Sequence, residues 1–234
     1  MRVPPRQSSA IRKPDMLDRR RRILDAAAQR FAEYGFGPTT VRQIADDVGL
    51  LSGSLYHHFA TKEEMLQEIV REAVVQLEEV TGRVLVAPVD PETRLVALVA
   101  AYIDGLTSHH TAHTVLYNER KYVRRHPEFA YVAESRKTTY GAWEAVLLLG
   151  VEQGQFRSGI DICMAVSAIM RLISNGAEWR NQANNSPIDS RETWSLNDLI
   201  DFHLGFILRA LRPAGRADAP VPRAAAEGLL RQCS

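Results

Sequence analysis

Residues 51–62, LSGSLYHHFATK, place two serines, a glycine, a tyrosine and two adjacent histidines within a few helical turns. Leu51, Leu55 and Phe59 follow one another at intervals of four residues, the spacing that puts side chains on one face of a helix. We expect this face to be buried, which leaves the serines, the glycine, Tyr56 and His57 on surfaces open to a partner. The stretch therefore predicts a short helix that presents uncharged hydrogen-bonding groups.

The sequence before this stretch predicts two further helices. Ile23 and Phe31 belong to the buried face of a first helix, and Thr40 is placed to cap a second one over residues 41–48. Gly49 follows where the turn requires a positive φ. Three short helices with a glycine-containing turn between the second and the third predict a helix-turn-helix.

The residue types on the third helix suit double-stranded DNA. Ser, Tyr and His side chains reach phosphate oxygens and base edges without carrying a negative charge, and glycine allows close approach. A helix of about seven residues is roughly 10 Å long and fits a major groove about 12 Å wide. The amino ends of the second and fourth helices favour anions, and Arg42 is within reach of either a base edge or a phosphate. The candidate DNA contacts are Thr40, Arg42, Ser52, Gly53, Ser54, Tyr56, His57 and Lys62.

The distribution of charge supports this interpretation. Residues 1–62 contain eleven Lys or Arg against six Asp or Glu, a net charge of +5, whereas residues 63–234 contain eighteen against twenty-two, a net charge of −4. A basic first quarter is typical of a protein that binds a polyanion. The near-neutral charge of the whole chain, +1, conceals this asymmetry.

Helical spacing recurs along the rest of the chain, and no segment shows the alternation of a strand. We therefore predict an all-α fold of about nine helices, with an N-terminal three-helix helix-turn-helix domain and a larger helical domain. The later helices are expected near residues 61–86, 91–108, 112–125, 128–153, 161–181 and 194–212, with a loop, NQANNSPIDSRE, at 181–192.

Composition divides the chain into four predicted segments. Residues 1–15 form a proline-containing, basic flexible arm, and residues 16–62 form the DNA-binding domain. Residues 63–212 form the second domain, and residues 213–234, rich in Pro and Ala, form a flexible tail. The apolar runs are too short to cross a bilayer and two distant cysteines suit a reducing compartment, so we expect a cytoplasmic protein.

Other functions are less consistent with the residues. Adjacent His57 and His58 point about 100° apart on a helix and lack further ligands, so a metal site is not expected. No His accompanies a nucleophilic Ser or Cys and no glycine-rich phosphate loop occurs, so we predict neither an enzyme nor a cofactor. A small helical enzyme and a non-specific architectural DNA-binding protein remain the alternatives.

The segments TTVRQIADDVG and LSGSLYHHFATKEEML, within residues 23–66, resemble the DNA-binding domain of the TetR family of bacterial transcriptional regulators. The resemblance implies a homodimer that binds a palindromic operator, with a small-molecule site in the larger helical domain. It also implies phosphate contacts from Thr40, Tyr56, His57 and Lys62, and groove contacts from residues 52–54.

Two later segments, VLYNERKYVRRHPEF and GVEQGQFRSGID, are similar to a subgroup of these regulators associated with lipid or sterol breakdown, some of which sense acyl-CoA thioesters. The predicted function is a repressor released by a small molecule, either an acyl-CoA thioester or another lipid-derived ligand. The candidate effector contacts combine apolar, aromatic and a few polar side chains, each also compatible with a place in the core. They are Tyr102, Leu106, Tyr117, Arg136, Tyr140, Trp143, Met170, Arg171, Asn175 and Trp179.

The last two long helices carry apolar stripes with two interpretations. The stripes either pair with their copies in a four-helix dimer interface or face their own core. The residues concerned are Ile162, Val166, Ile169 and Ile173 on one helix, and Leu199, Phe202, Phe206 and Leu208 on the other. The family resemblance favours the dimer.

Overall fold

The computed structural model describes the backbone of residues 16–183 and 195–233, and the side chains of residues 17–175 and 195–231. The predicted arm, residues 1–15, and most of the predicted loop lie outside these ranges. The described backbone is helical and contains no strand, so the all-α prediction is confirmed.

Eleven α-helices are present in the described part of the chain, and two short 3-10 turns accompany them at Pro127–Phe129 and Ala214–Arg216. The helices are α1 Met16–Tyr34, α2 Val41–Asp47, α3 Ser52–Leu55, α4 Lys62–Leu85, α5 Pro91–Ser108, α6 His110–Asn118, α7 Arg120–Arg125, α8 Ala130–Glu152, α9 Ile162–Ala183, α10 Leu196–Leu211 and α11 Arg223–Cys233. The single helix predicted near 112–125 is in fact two helices, α6 and α7.

The chain separates into two compact units, one ending at Leu66 and the other beginning at Gln67. Helix α4 contributes residues to both of them. The sequence placed the boundary four residues earlier, at residue 62.

In the first unit, helices α1 to α3 and the start of α4 share one apolar core. Phe31 and Phe36 pack edge to face with ring centroids 5.2 Å apart. Gly49, with φ of +67°, turns the chain after α2, and the Leu50 amide closes this turn by donating to the Ala45 carbonyl at 2.9 Å. This turn therefore fixes the direction in which the chain enters α3.

The predicted buried face of the third helix is only partly correct. Leu55 and Phe59 are fully buried, but Leu51 is 80% exposed. Helix α3 begins at Ser52, so Leu51 precedes it in an extended conformation, and the four-residue spacing of a helix does not apply there. The α-helix is also shorter than the predicted seven residues, with Tyr56 and His57 in the turn that follows it.

The core of the second unit is built around α5, which packs against α8, α9, α10 and α11. Most of its positions from Pro91 to Ile103 are buried because helices surround it on several sides. The stripes on the last two long helices mainly serve this core. Val166, Ile169, Ile173, Leu199 and Leu208 are buried within their own unit, whereas Phe202 and Phe206 are 66% and 62% exposed.

The prediction of a flexible tail at residues 213–234 is wrong. Helix α11 packs on α5 and buries Ala226 and Leu229, whose spacing of three residues places them on one helical face. Polar contacts hold the segment as well. Arg212 donates to the Glu92 carboxylate at 2.5 Å and to the Pro220 carbonyl at 3.0 Å. Composition alone could not reveal this structure, because Glu92, the ionic partner of Arg212, lies 120 residues away in the sequence.

We expect Arg212→Met to lower the free energy of unfolding by about 3 kcal/mol, because it leaves the buried carboxylate of Glu92 short of its main partner. The matched control is Arg209→Met, which removes an exposed ion pair with Asp218 and should cost less than about 1 kcal/mol. Urea unfolding at neutral pH measures both. Equal losses in the two variants would contradict a stabilising role for the buried pair.

Candidate nucleic-acid interface and effector site

Helix α3 is anchored by the side chains that lie below it. Leu55 and Phe59 are buried, and the guanidinium of Arg20 lies 4.3 Å from the centroid of the Phe59 ring. The Phe59 amide donates to the Leu55 carbonyl at 3.1 Å and so continues the helical turn beyond the end of α3. These contacts fix a four-residue helix that would not be stable alone.

The remaining side chains of this segment are available at the surface. Gly53, Tyr56 and His57 are exposed, with Tyr56 at 54%, and Ser52 and Ser54 are half-buried. A Cβ atom added at Gly53 would meet no atom within 4 Å, so the start of the helix faces open space. The structure thus brings the five predicted groups together on one short segment.

Thr40 and Arg42 occupy the amino end of α2. The Thr40 hydroxyl accepts from the Gln43 amide at 3.3 Å, and the Gln43 side chain accepts from the Thr40 amide at 2.8 Å, which forms a capping box. The Arg42 side chain is 85% exposed and its closest carboxylate, on Asp46, is 4.0 Å away. Arg42 is therefore free to reach an external anion.

A carboxylate at the carboxyl end of α2 is neutralised within the unit. Arg30 of α1 forms a bidentate ion pair with Asp47. Its Nε donates to Asp47 Oδ2, and its Nη2 donates to Asp47 Oδ1 at 2.7 Å. This guanidinium lowers the pKa of the Asp47 carboxyl below its ordinary value. The ion pair joins α1 to α2 and reduces the repulsion that a nearby phosphate would feel.

Lys62 has a different environment from the predicted phosphate contact. Its Nζ donates to the carbonyls of Phe36 at 2.7 Å and Thr39 at 2.8 Å, with Gly37 at 3.3 Å, and lies 4.3 Å from the centroid of the Phe36 ring. The ammonium therefore joins the first residue of α4 to the connection between α1 and α2. Sequence spacing carries no signal for such a contact, because backbone carbonyls accept it.

We expect Lys62→Met to lower the free energy of unfolding by about 1–3 kcal/mol, because three carbonyls lose a charged donor. Arg42→Met, which removes an exposed cation, is the control and should leave stability unchanged. Chemical denaturation without DNA measures both. Unchanged stability of Lys62→Met would contradict the internal role and would return Lys62 to the group of phosphate contacts.

In the second unit, the structure groups some of the predicted effector residues and separates others. Tyr102 and Trp143 pack edge to face at 5.7 Å, and the guanidinium of Arg136 lies 5.1 Å from the ring centroid of Tyr140. Leu106 is half-buried against the same apolar core, to which buried Met170 also belongs.

Three predicted effector residues with described side chains do not line this core. Tyr117 is 56% exposed with the guanidinium of Arg120 stacked on its ring, and Arg171 and Asn175 are exposed on α9. Their helical faces turn outward, so the prediction that they line an enclosed pocket is not supported by their placement. The side chain of Trp179 lies outside the described residues.

Sequence reasoning missed a set of buried polar atoms in this unit. Within the part of the chain that the structure describes, no hydrogen-bond partner is present for Gln76 Oε1, His109 Nδ1, His113 Nε2 or Trp143 Nε1. A Cβ atom added at Gly105 would lie 3.8 Å from Gln76 Nε2. The His109 amide donates to the Gly105 carbonyl at 3.0 Å. Gln76 therefore lies beside Gly105, His109 follows Gly105 by one helical turn, and His113 follows one turn later.

Buried polar atoms without partners destabilise a fold by about 1–3 kcal/mol each, so a bound water, ion or ligand that satisfies them would stabilise it. The four-residue spacing of the histidines in HHTAH, residues 109–113, was a signal for this group of atoms in the sequence.

The His113 side chain is uncharged at neutral pH. Burial, together with His109 and His110, lowers the pKa of His113 from 6.5 to about 4. Burial also raises the pKa of Tyr102 above its ordinary value. Both side chains nevertheless keep some accessible surface. We infer a site that offers neutral donors and acceptors to a ligand.

We expect the free energy of unfolding to fall as the pH is lowered from about 6.5 to about 4. The sign follows from linkage, because unfolded His113 takes up a proton that folded His113 refuses. In His113→Gln this decline should be smaller. Denaturant unfolding at several pH values, compared between the two proteins, measures the difference, and identical slopes would contradict the assignment.

No group of three His, Cys, Asp or Glu side chains among the described residues is arranged to hold a metal ion. In the same ranges, no helix is both long and apolar enough to span a bilayer.

Comparisons with known proteins agree with the two-part architecture. Residues 23–69 match the model for bacterial regulatory proteins of the tetR family, and residues 88–183 match that for a tetracyclin repressor-like C-terminal domain. The HTH-type transcriptional repressor KstR2 of Rhodococcus jostii (strain RHA1) is 34% identical over 183 residues, which cover 78% of this chain and 90% of the relative.

The chain is also similar to relatives from Mycobacterium tuberculosis. The HTH-type transcriptional repressor KstR2 of strain H37Rv is 38% identical over 144 residues, covering 62% of this chain and 72% of the relative. A solved structure described as the ketosteroid transcriptional regulator KstR2 of this organism superposes with a TM-score of 0.75 at 31% identity. That superposition covers 83% of this chain and 95% of the other.

Proposed function

Because this chain belongs to the TetR family of bacterial regulatory proteins, we propose that it represses transcription by binding a palindromic operator as a homodimer, and that a small molecule releases it. The chain is a DNA-binding regulator and not an enzyme. We assign it to the cytoplasm, where such a regulator meets DNA.

The observation that carries the proposal is the surface of α3 and the turn after it. An anchored helix offers uncharged hydroxyl, phenol and imidazole groups at a position that open space surrounds. Ser52, Gly53 and Ser54 enter the major groove, and Tyr56 and His57 bind phosphates. Thr40 and Arg42 add backbone contacts from α2. Lys62 acts here as a positioning residue.

The homodimer supplies the two-fold symmetry that a palindrome requires. Phe202 and Phe206 lie one turn apart on α10 and are 66% and 62% exposed. Two exposed phenylalanines on one helical face bury a large apolar area when a second copy covers them. The dimer holds its two α3 helices about 34 Å apart, one turn of DNA.

We place the effector site at the unpartnered polar atoms of Gln76, His113 and Trp143, with Tyr102 packed against Trp143. An apolar ligand that carries carbonyl or hydroxyl groups satisfies these atoms without introducing a charge. The acyl part of an acyl-CoA thioester, or another lipid-derived molecule, has this chemistry. The similarity to the ketosteroid transcriptional regulator KstR2 of Mycobacterium tuberculosis supports a lipid-derived class.

Helix α4 provides the route from ligand to DNA. It carries Gln76 in the second unit, and its first residue is Lys62 in the first unit. A ligand that binds Gln76 favours one position of this helix over another. A shift of α4 changes the spacing of the two recognition helices in the dimer and weakens the hold on the operator.

We expect Ser54→Ala to change the preference among related operator sequences by about fivefold or more, because a base contact is lost. Tyr56→Phe should weaken binding to all duplexes by a similar factor, because a phosphate contact carries no sequence information. Equilibrium binding to duplexes from the flanks of the protein's own gene, at several salt concentrations, measures both. The reverse pattern would mean that the two roles are exchanged.

The same binding assay distinguishes a sequence-specific regulator from a non-specific architectural DNA-binding protein. A specific regulator keeps its preferred duplex in excess competitor DNA, although affinity falls steeply with salt. A non-specific architectural protein would lose all preference in competitor DNA. Addition of acyl-CoA thioesters of different chain lengths then tests release, and a thioester that binds without weakening the complex is excluded as the effector.

A further inference from the structure

Leu51 is the most exposed of the large apolar side chains described in the first unit, at 80%. It lies directly before α3 in an extended conformation, and its side chain makes no capping hydrogen bond. Leu55 and Phe59, by contrast, are buried. A leucine at this position therefore contributes nothing to the core, and a polar residue would be better solvated there.

The surroundings of Leu51 point to a partner. The neighbouring positions 52–54 belong to the surface proposed to enter the major groove. A Cβ atom added at Gly53 would meet no atom within 4 Å. A base pair can therefore approach the start of α3 closely. Leu51 must then lose its water when the helix enters the groove.

The chemistry of the groove leaves one suitable contact for this side chain. Base edges in the major groove carry hydrogen-bond donors and acceptors, and the apolar group among them is the C5 methyl of thymine. Phosphates offer no apolar surface, and a leucine placed against an unmatched donor or acceptor would prevent its solvation.

We propose that Leu51 reads a thymine in each half of the operator by packing its side chain against the C5 methyl group. This proposal rests on the proposed DNA-binding function and adds a specificity residue to it. Because the dimer is symmetric, the thymine recurs at equivalent positions of the two half-sites. Leu51 then contributes sequence preference through apolar contact, and the serines contribute it through hydrogen bonds.

The test uses the full chain and the duplex that it selects from a randomised library. Each thymine of this duplex is replaced in turn by uracil, which removes the methyl group and keeps the base-pairing edge. At the thymine that Leu51 contacts, uracil should weaken binding by the native protein about threefold to tenfold, as expected for one buried methyl group. In Leu51→Ala, the same replacement should have almost no effect.

Val86→Ala is the matched control, since Val86 is an exposed apolar residue, at 84%, in the other unit. This variant should respond to uracil as the native protein does. Equal responses of Leu51→Ala and the native protein at every thymine, or no response in the native protein, would overturn the assignment of Leu51. Failure to enrich any sequence from the library would instead contradict the DNA-binding function on which the assignment rests.

Discussion

A helix of four residues cannot hold its own shape, and the proposed DNA surface depends on this constraint. Formation of the first helical turn fixes several backbone angles for a single hydrogen bond, so α3 is stable only where tertiary contacts support it. Leu55 and Phe59 provide that support from below. Lys62 fixes the connection between α1 and α2 through three carbonyls, and Arg30 joins the same two helices through Asp47. The recognition surface is therefore a property of the whole first unit.

The second unit combines a strongly stabilised frame with an incompletely satisfied interior. Helix α5 is surrounded by other helices, and the buried pair of Glu92 and Arg212 joins it to the segment that follows α10. Within this frame Gln76, His113 and Trp143 bury polar atoms whose hydrogen-bonding capacity is unmet in the described chain. A ligand that completes those hydrogen bonds binds more tightly to the conformation of the second unit in which these atoms are exposed to it. Differential affinity of this kind is what a regulatory ligand requires.

Local rules predicted most of the helices and the position of the DNA surface. Capping residues and turn glycines act over a few positions, and the Thr40 cap and the Gly49 turn are both present. Contacts distant in sequence were not predictable in this way. The ion pair of Arg212 with Glu92, the carbonyl partners of Lys62 and the polar atoms around His113 depend on segments that only the fold brings together. Leu51 was misassigned because a spacing rule was extended past the first residue of a helix.

Amide hydrogen exchange with and without the selected duplex locates the DNA-binding surface directly. We expect slower exchange at residues 40–43 and 51–58 when DNA is bound, because the segments proposed to contact the groove and the phosphates become covered. The core amides of α5 should change much less. Tight, sequence-selective binding with no added protection at residues 51–58 would contradict the central claim that α3 and the turn after it form the surface that reads DNA.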